Sequence, residues 1–226
     1  YDVKTYKASV KSLLNVGYDY IALGSLVKSD SEFIIELLES IENLTTSVDL
    51  HLFGVLRPKY LSRFKKLGVT SFDSASYLRK AWLRSGQNYL GPHGKWYAAI
   101  RVPQSTNAKL IKNADMNGYS KDDIRVMENS VLSLLRDYDQ GKAELNVVLD
   151  AIEKYDSLLL RDTEDITTLR EKYKVTLEEK PWRLCSCSIC KSIGIDVTIF
   201  RGTNRNKRRG FHNIYAFREQ NIEQFY

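Results

Sequence analysis

Tyr18-Asp19-Tyr20-Ile21-Ala22-Leu23-Gly24-Ser25 sets the reading of the fold: a short apolar run that stops at a glycine, followed by a helix start at Ser29, Asp30 or Ser31. The helix after it carries Phe33, Ile34, Leu37, Leu38 and Ile41, spaced as one apolar face. The unit then repeats. Leu50 to Phe53 closes on Gly54, Pro58 opens a helix with Tyr60, Leu61 and Phe64 that Gly68 ends, and Val69 to Phe72 closes on Asp73. Strand alternating with helix through short connections predicts parallel strands, here apolar enough to be buried on both faces. Before the first run, Val3, Tyr6, Val10, Leu13 and Leu14 share one side of a predicted helix.

Three β/α units do not close an eight-stranded barrel, so the sequence predicts either a small open sheet or the later part of a (β/α)8 barrel. The chain starts at Tyr1 rather than Met, inside the first helix, which favours the second and suggests that upstream elements belong with it. From Gln104 to Glu179 the pattern changes to amphipathic helices, among them Asp122 to Tyr138 and Ala143 to Leu160, without a cluster of catalytic residue types. From Pro181 it changes again, to a cysteine cluster, a strand-like Ile195 to Phe200, the basic run Arg201 to Arg209 and a short helix after His212. The expected division is therefore 1–103, 104–180 and 181–226.

The chain has 226 residues, 43% hydrophobic and 27% charged, enough to bury a core and unlike a disordered composition. No apolar run reaches the ~20 residues of a bilayer span, and no signal pattern opens the chain, so a cytoplasmic location is expected. From Pro181 onward eight Lys or Arg face three Asp or Glu, which accounts for five of the chain's net charge of +6. That local field suits a phosphate backbone, and it equally suits a solvated face.

All three cysteines lie in Cys185-x-Cys187-x-x-Cys190. Three thiolates and one imidazole complete a structural zinc site. His51 sits in an apolar strand and His93 in a loop far along the chain, whereas His212 shares the cysteines' segment; His212 is the expected fourth ligand. A nucleobase deaminase would need His-x-Glu, and Phe53, Lys95 and Ile214 stand two residues after the three histidines. A closed four-ligand site holds structure rather than doing chemistry.

Chemistry is expected instead at the strand ends, Gly24-Ser25-Leu26, Gly54 and Asp73. The glycines allow a flat ligand to approach the backbone. A carboxylate at a strand mouth can attack an anomeric carbon. By local pattern alone Asp73 reads first as an N-cap of the next helix, with Ser74 and Ser76 able to share the work.

Taken together, these segments resemble the tRNA-guanine transglycosylase superfamily. Gly17 to Leu26 is similar to its base-recognition loop, His51-Leu52-Phe53-Gly54-Val55 to the following barrel strand, and Gly68 to Ser76 to the segment with its nucleophilic aspartate; Cys185, Cys187 and Cys190 with His212-Asn213 are similar to its zinc subdomain. The resemblance covers about residues 1 to 103 and 181 to 226. It implies the C-terminal part of a (β/α)8 TIM barrel, a helical insertion and a zinc subdomain. It implies Asp73 as nucleophile, the Gly24-Ser25-Leu26 backbone and Gly54 as substrate contacts, and guanine exchanged for a 7-deazaguanine. The sequence departs from the bacterial tRNA form at Ser25, where a second glycine is common, and at Tyr77, where that form has proline. The family's other acid/base aspartate lies on an early strand not found here, so the chain alone is expected to be inactive.

Asp73 to Trp82, Tyr97 to Pro103, Pro181-Trp182-Arg183 and the stretch Ile199 to Asn213 are more similar to the DNA-acting branch, which places 7-cyano-7-deazaguanine or its derivatives in DNA. Under that branch Arg201, Arg205, Lys207, Arg208 and Arg209 would contact phosphates, unless they pair with acidic helices of the middle segment. Queuosine or archaeosine tRNA modification, and a non-catalytic zinc-bearing nucleic-acid-binding subunit, stand as alternatives, and a homodimer or partner subunit is conceivable.

Overall fold

The computed structural model describes residues 2–83, 86–159 and 165–221. These group into two compact units, residues 2–76 with Asn221, and residues 77–220.

In the first unit, helix α1 (Val3–Val16) starts on Asp2, whose carboxylate accepts from Thr5 N, and ends on Gly17 at φ +96°. Strand β1 (Tyr20–Leu23), helix α2 (Ser31–Ile41), strand β2 (Asp49–Leu52), helix α3 (Leu61–Lys66) and strand β3 (Val69–Phe72) follow as read from the sequence. Of the three possible caps for α2, Asp30 serves, accepting from Phe33 N at 2.7 Å. The strands are parallel in the order β1-β2-β3 and form an open sheet rather than a barrel.

The expectation of strands buried on both faces is corrected. Ile21, Leu23, Leu50, Leu52 and Val69 point into one core with Ile34, Leu37, Leu38, Ile41 and Phe64. The alternate positions lie toward the other face, where Tyr20 and Ala22 are exposed and His51 and Ser71 half-buried. On β1 and β2 the period is two because helices cover one side of this sheet, and the register shift against β3 breaks it there.

In the second unit, after the five-residue helix α4 (Ser76–Lys80), strands β4 (Tyr89–Leu90) and β5 (Trp96–Tyr97) pair antiparallel. Strand β6 (Ile100–Arg101) pairs in parallel with β7 (Ile199–Phe200), across helices α5 (Ala108–Met116), α6 (Lys121–Asp139), α7 (Leu145–Asp156), α8 (Ile166–Glu179) and α9 (Ser188–Ile193). Helix α6 starts on a capping box: Ser120 Oγ accepts from Asp123 N, and Asp123 accepts from Ser120 N at 2.8 Å. The helix expected over Ala143 to Leu160 is α7 plus a 3-10 turn at Ser157–Leu159; Leu160 lies outside the described residues.

The breaks expected at 103/104 and 180/181 do not separate compact units. One core joins Tyr89, Ile100 and Val102 to Ile124, Leu135, Ile152 and Leu177 and on to Trp182, Cys190 and Ile199. Two polar ties, the first of them buried, explain why these stretches cohere. Arg101 donates two hydrogen bonds to Asp156, at 2.7 and 2.9 Å, and Tyr173 donates a third at 3.0 Å. At the end of α6, Asp139 accepts from Trp182 Nε1 (3.0 Å), Arg183 Nε (2.8 Å) and Ile195 N (3.2 Å), and so grips both flanks of the cysteine segment.

Two further corrections fall near the C-terminus. The strand expected over Ile195 to Phe200 is a 3-10 turn, Gly194–Thr198, with only Ile199 and Phe200 paired; burial there is continuous and does not alternate. The basic run and the short helix after it are one 20-residue helix, α10 (Gly202–Asn221). Arg209, His212, Asn213, Ala216 and Phe217 form its buried face, a helical period. Gly210 does not interrupt it, because a Cβ there would stand 2.7 Å from Leu78 Cδ1 and 3.0 Å from the Leu78 carbonyl oxygen.

Candidate metal centre and candidate active site

The cysteines converge through ordinary backbone rules. Cys187 is the N-cap of α9, its sulfur accepting from Cys190 N at 3.3 Å, and this places Cys190 in the first turn on the same side. Cys185, two residues earlier, turns its sulfur to accept from Cys187 N at 3.5 Å. From the middle of α10, His212 brings Nδ1 to 3.5, 3.5 and 3.4 Å from the sulfurs of Cys185, Cys187 and Cys190. All four donor atoms lie within 4.8 Å of one another.

A tetrahedral zinc ion with Zn–S of about 2.3 Å and Zn–N of about 2.0 Å requires S···N separations of roughly 3.5 Å, so this donor set fits one metal ion. His212 Nε2 lies 2.9 Å from the Leu90 carbonyl oxygen, so it carries the proton there and leaves Nδ1 free to ligate. Tyr89 stacks on the imidazole with ring centroids 4.0 Å apart, and its hydroxyl is 3.2 Å from Cys190 Sγ. Asn213, the next residue, accepts from Leu90 N at 2.9 Å and donates to the carbonyls of Tyr77 (3.1 Å) and Asn88 (2.9 Å). Burial presses the His212 imidazole toward neutrality, yet the Cys185 and Cys187 sulfurs outweigh it and raise its pKa to about 9. Three sulfurs around one ring, two of them buried, call for positive charge, which a metal cation supplies. His212, read from the sequence as lying near a helix start, stands ten residues inside α10.

Asp73 follows β3 directly and is not the cap of α4. Just ahead of α4, it is Ser74 Oγ that accepts from Ser76 N, at 3.2 Å. Asp73 Oδ1 instead accepts from Gly54 N at 2.9 Å and lies 3.3 Å from His51 Nε2. The side chain is 61% exposed. The Gly54 N–H, against a small opposing effect of desolvation and with help from His51, holds the carboxyl below the usual aspartate range. It is therefore an ionised, accessible carboxylate at a strand end.

The neighbouring substrate candidates differ in what they offer. Gly54 has φ +69°, and a Cβ there would meet Val27 Cγ2 at 2.6 Å, so glycine alone lets its N–H face Asp73. Ser25 also lies in the left-handed region, φ +61°, within the turn after β1. Gly24 is beside them, its carbonyl accepting from Tyr6 Oη at 2.7 Å. Leu26 has a buried side chain and a carbonyl that accepts from Ser29 N at 3.1 Å, so its N–H is the backbone group left for a ligand. A cavity of about 230 Å³ lies under α1, lined by Tyr6, Val10, Ile21, Leu23, Gly24 and Ser25 among others.

The basic run divides. Arg201 is ion-paired with the buried Glu128 of α6, and Arg205 with Asp196 at 2.6 Å. Arg209 is fully buried and donates to the carbonyls of Ala81, Val197 and Ile199 and to Asn206. Ion pairing of the first two, whose side chains stay 21% and 26% exposed, and burial of the third are the alternative to phosphate contact that the sequence left open. Lys207 and Arg208 remain exposed, with no ion pair among the described residues. Sequence reasoning missed Tyr20, Ser71 and Tyr6 as neighbours of the strand ends; a polar residue two positions before Asp73 on a buried-looking strand was the available signal.

The structure thus defines an α/β chain that carries exposed strand-end groups in one unit and a Cys3His metal-binding cluster in the other. No protein-family model matches it. It is 40% identical over 213 residues to the DNA-guanine transglycosylase of Salmonella montevideo, an alignment covering 93% of this chain and 51% of that protein. The chain therefore spans about half the length of the curated relative it matches, and the resemblance to the transglycosylase superfamily and its DNA-acting branch is upheld. Among the described residues no helix is long and apolar enough to cross a membrane.

Proposed function

We propose that this chain forms part of a base-exchange glycosyltransferase that replaces guanine in DNA by a 7-deazaguanine, 7-cyano-7-deazaguanine or a derivative, through an aspartyl intermediate. The observation that carries it is the Asp73 carboxylate, ionised and exposed at the end of β3, held through one oxygen by Gly54 N–H and turned away from the helix it might have capped.

Asp73 attacks C1′ of a deoxyguanosine as the C1′–N9 bond breaks, and the electron pair leaves with the guanine, which takes up a proton. The incoming base gives up a proton and attacks C1′ through its ring nitrogen, and the carboxylate departs with its electrons. The proton gained by one base equals the proton lost by the other, and the sugar-phosphate chain stays intact. Gly24, Ser25 and Leu26 offer backbone to a flat heterocycle, with Gly54 completing the ledge. In this reading the three parallel β/α units are part of a (β/α)8 barrel. Zinc held by Cys185, Cys187, Cys190 and His212 supplies structure, with no open position for chemistry.

The test is incorporation of radiolabelled guanine by the full-length protein, offered duplex DNA and unmodified tRNA in parallel, with Asp73→Ala as control. Label entering DNA, and falling by about 1,000-fold or more in the variant, is the expected result for a lost nucleophile. Label entering only tRNA moves the protein to the queuosine or archaeosine branch. Exchange that survives Asp73→Ala removes the nucleophile, and label entering neither acid favours a non-catalytic nucleic-acid-binding subunit.

A further inference from the structure

On the face of the β1-β2-β3 sheet away from the helices, four polar groups form a chain that ends on Asp73. His51 and Ser71 are register partners on adjacent strands, and the register shifts just before His51, at Leu50/His51. Such irregularities re-aim a side chain. Here His51 Nδ1 lies 2.8 Å from Ser71 Oγ, Ser71 Oγ lies 2.5 Å from Tyr20 Oη, and His51 Nε2 lies 3.3 Å from Asp73 Oδ1. Phe53 packs edge-on against the imidazole, ring centroids 4.7 Å apart, and limits its rotation.

The protons along this chain have a consistent arrangement. Asp73 is ionised and only accepts, so Nε2 of His51 carries the proton that faces it. In neutral imidazole Nδ1 is then an acceptor, which Ser71 O–H satisfies, and Ser71 Oγ accepts in turn from Tyr20 O–H. Every donor points toward the carboxylate. The bonds from Gly54 N and from His51 both land on Oδ1 and neither on Oδ2, while the residue's own backbone N–H adds a weaker pull on the carboxyl.

We propose that His51, oriented by Ser71 and Tyr20, is a positioning residue that fixes the rotamer of Asp73 and leaves Oδ2 as its attacking oxygen. This rests on the reading of Asp73 as nucleophile. A hydrogen-bond donor on Oδ1 also stabilises the negative charge that returns to the carboxylate when the sugar departs to the incoming base. The titratable groups that the described residues bring to Asp73 are His51 directly and Tyr20 through Ser71.

The experiment uses the full-length protein with Asp73→Ala, His51→Asn and His51→Gln. Asparagine keeps a polar group near Nδ1 and has nothing at Nε2, whereas the glutamine amide reaches the Nε2 position. In guanine exchange on duplex DNA, His51→Asn is expected to lower kcat by about 10- to 100-fold, the scale of a misplaced reacting group, with KM for the base little changed. His51→Gln is expected to recover a large part of that loss. In parallel, the Asp73 carboxyl is titrated by NMR, which needs no turnover: its pKa rises in His51→Asn and stays near the wild-type value in His51→Gln. Equal losses in both variants with an unmoved Asp73 titration, or wild-type kcat and titration in His51→Asn, overturn the positioning role. Exchange surviving Asp73→Ala instead overturns the nucleophile, and with it the catalytic part of this inference, while the titration still reports whether His51 holds the carboxylate.

Discussion

Asp73 and His212 are both polar residues beside apolar stretches, and the protein treats them in opposite ways. His212 has no exposed surface, one nitrogen on the Leu90 carbonyl and the other facing three sulfurs. Asp73 is 61% exposed, with one oxygen held by the protein and the other left for a ligand. A group whose every valence is met inside the fold can only hold the fold together. A group that is oriented through one atom and open at the next can react. The difference between the two units is therefore one of completeness, and under the proposed function it separates a structural site from a reactive one.

The largest effect that tests this contrast is removal of the metal. Structural zinc contributes about 10 kcal/mol or more to the folded state of a small site. Chelation, or Cys190→Ser, is expected to abolish hydrogen-exchange protection in α9 and α10 while the strands around Asp73 keep theirs. Metal analysis of the untreated protein should give one ion per chain. Protection unchanged after chelation would mean that the cluster is held by packing alone, and the contrast would lose its structural half.

A smaller effect is expected on the open side. Gly54→Ala places a methyl group at φ +69° and against Val27, costing about 1–2 kcal/mol for the left-handed backbone. It also shifts the N–H that does most to lower the Asp73 pKa. The sign follows: a carboxyl depressed in the folded state adds stability above its unfolded pKa and loses it as pH falls through the folded one. In Gly54→Ala the Asp73 titration, followed by NMR, is expected to move up toward the ordinary aspartate value. A titration that stays put would mean another donor holds Oδ1.

The two sites were unequally legible in the sequence. The metal-binding cluster could be read because four residues of two scarce types within one segment leave few other uses, and His212 does join the three cysteines although its place within a helix was not foreseen. The close approach of Leu78, which leaves no room for a Cβ, explains the glycine at 210 inside α10. Asp73 was legible as a strand-end carboxylate, but its choice between capping and reacting was not, because that depends on which way the side chain turns. The chain of Tyr20, Ser71 and His51 was invisible for a similar reason: it crosses three strands, and a register shift at Leu50/His51 sets it. The basic run was the least legible, since charge in a sequence does not show which arginines already hold a partner.

That last point carries the smallest effect and the sharpest discrimination. Lys207 and Arg208 are exposed on α10, while Arg201 and Arg205 are ion-paired and Arg209 is buried on carbonyls. If phosphates are contacted by this run, each free cation removed should reduce the slope of log K against log salt by about 0.9. The double variant Lys207→Gln, Arg208→Gln is expected to lower that slope by roughly 2, weakening DNA binding uniformly across sequences with little change in melting temperature. Arg205→Gln is expected to reverse the pattern, lowering stability and leaving the slope where it was, because its charge already serves Asp196. A slope that falls with Arg205 and not with Lys207 and Arg208 would mean that the ion pairs open on binding, and the division between structural and available cations would have to be redrawn.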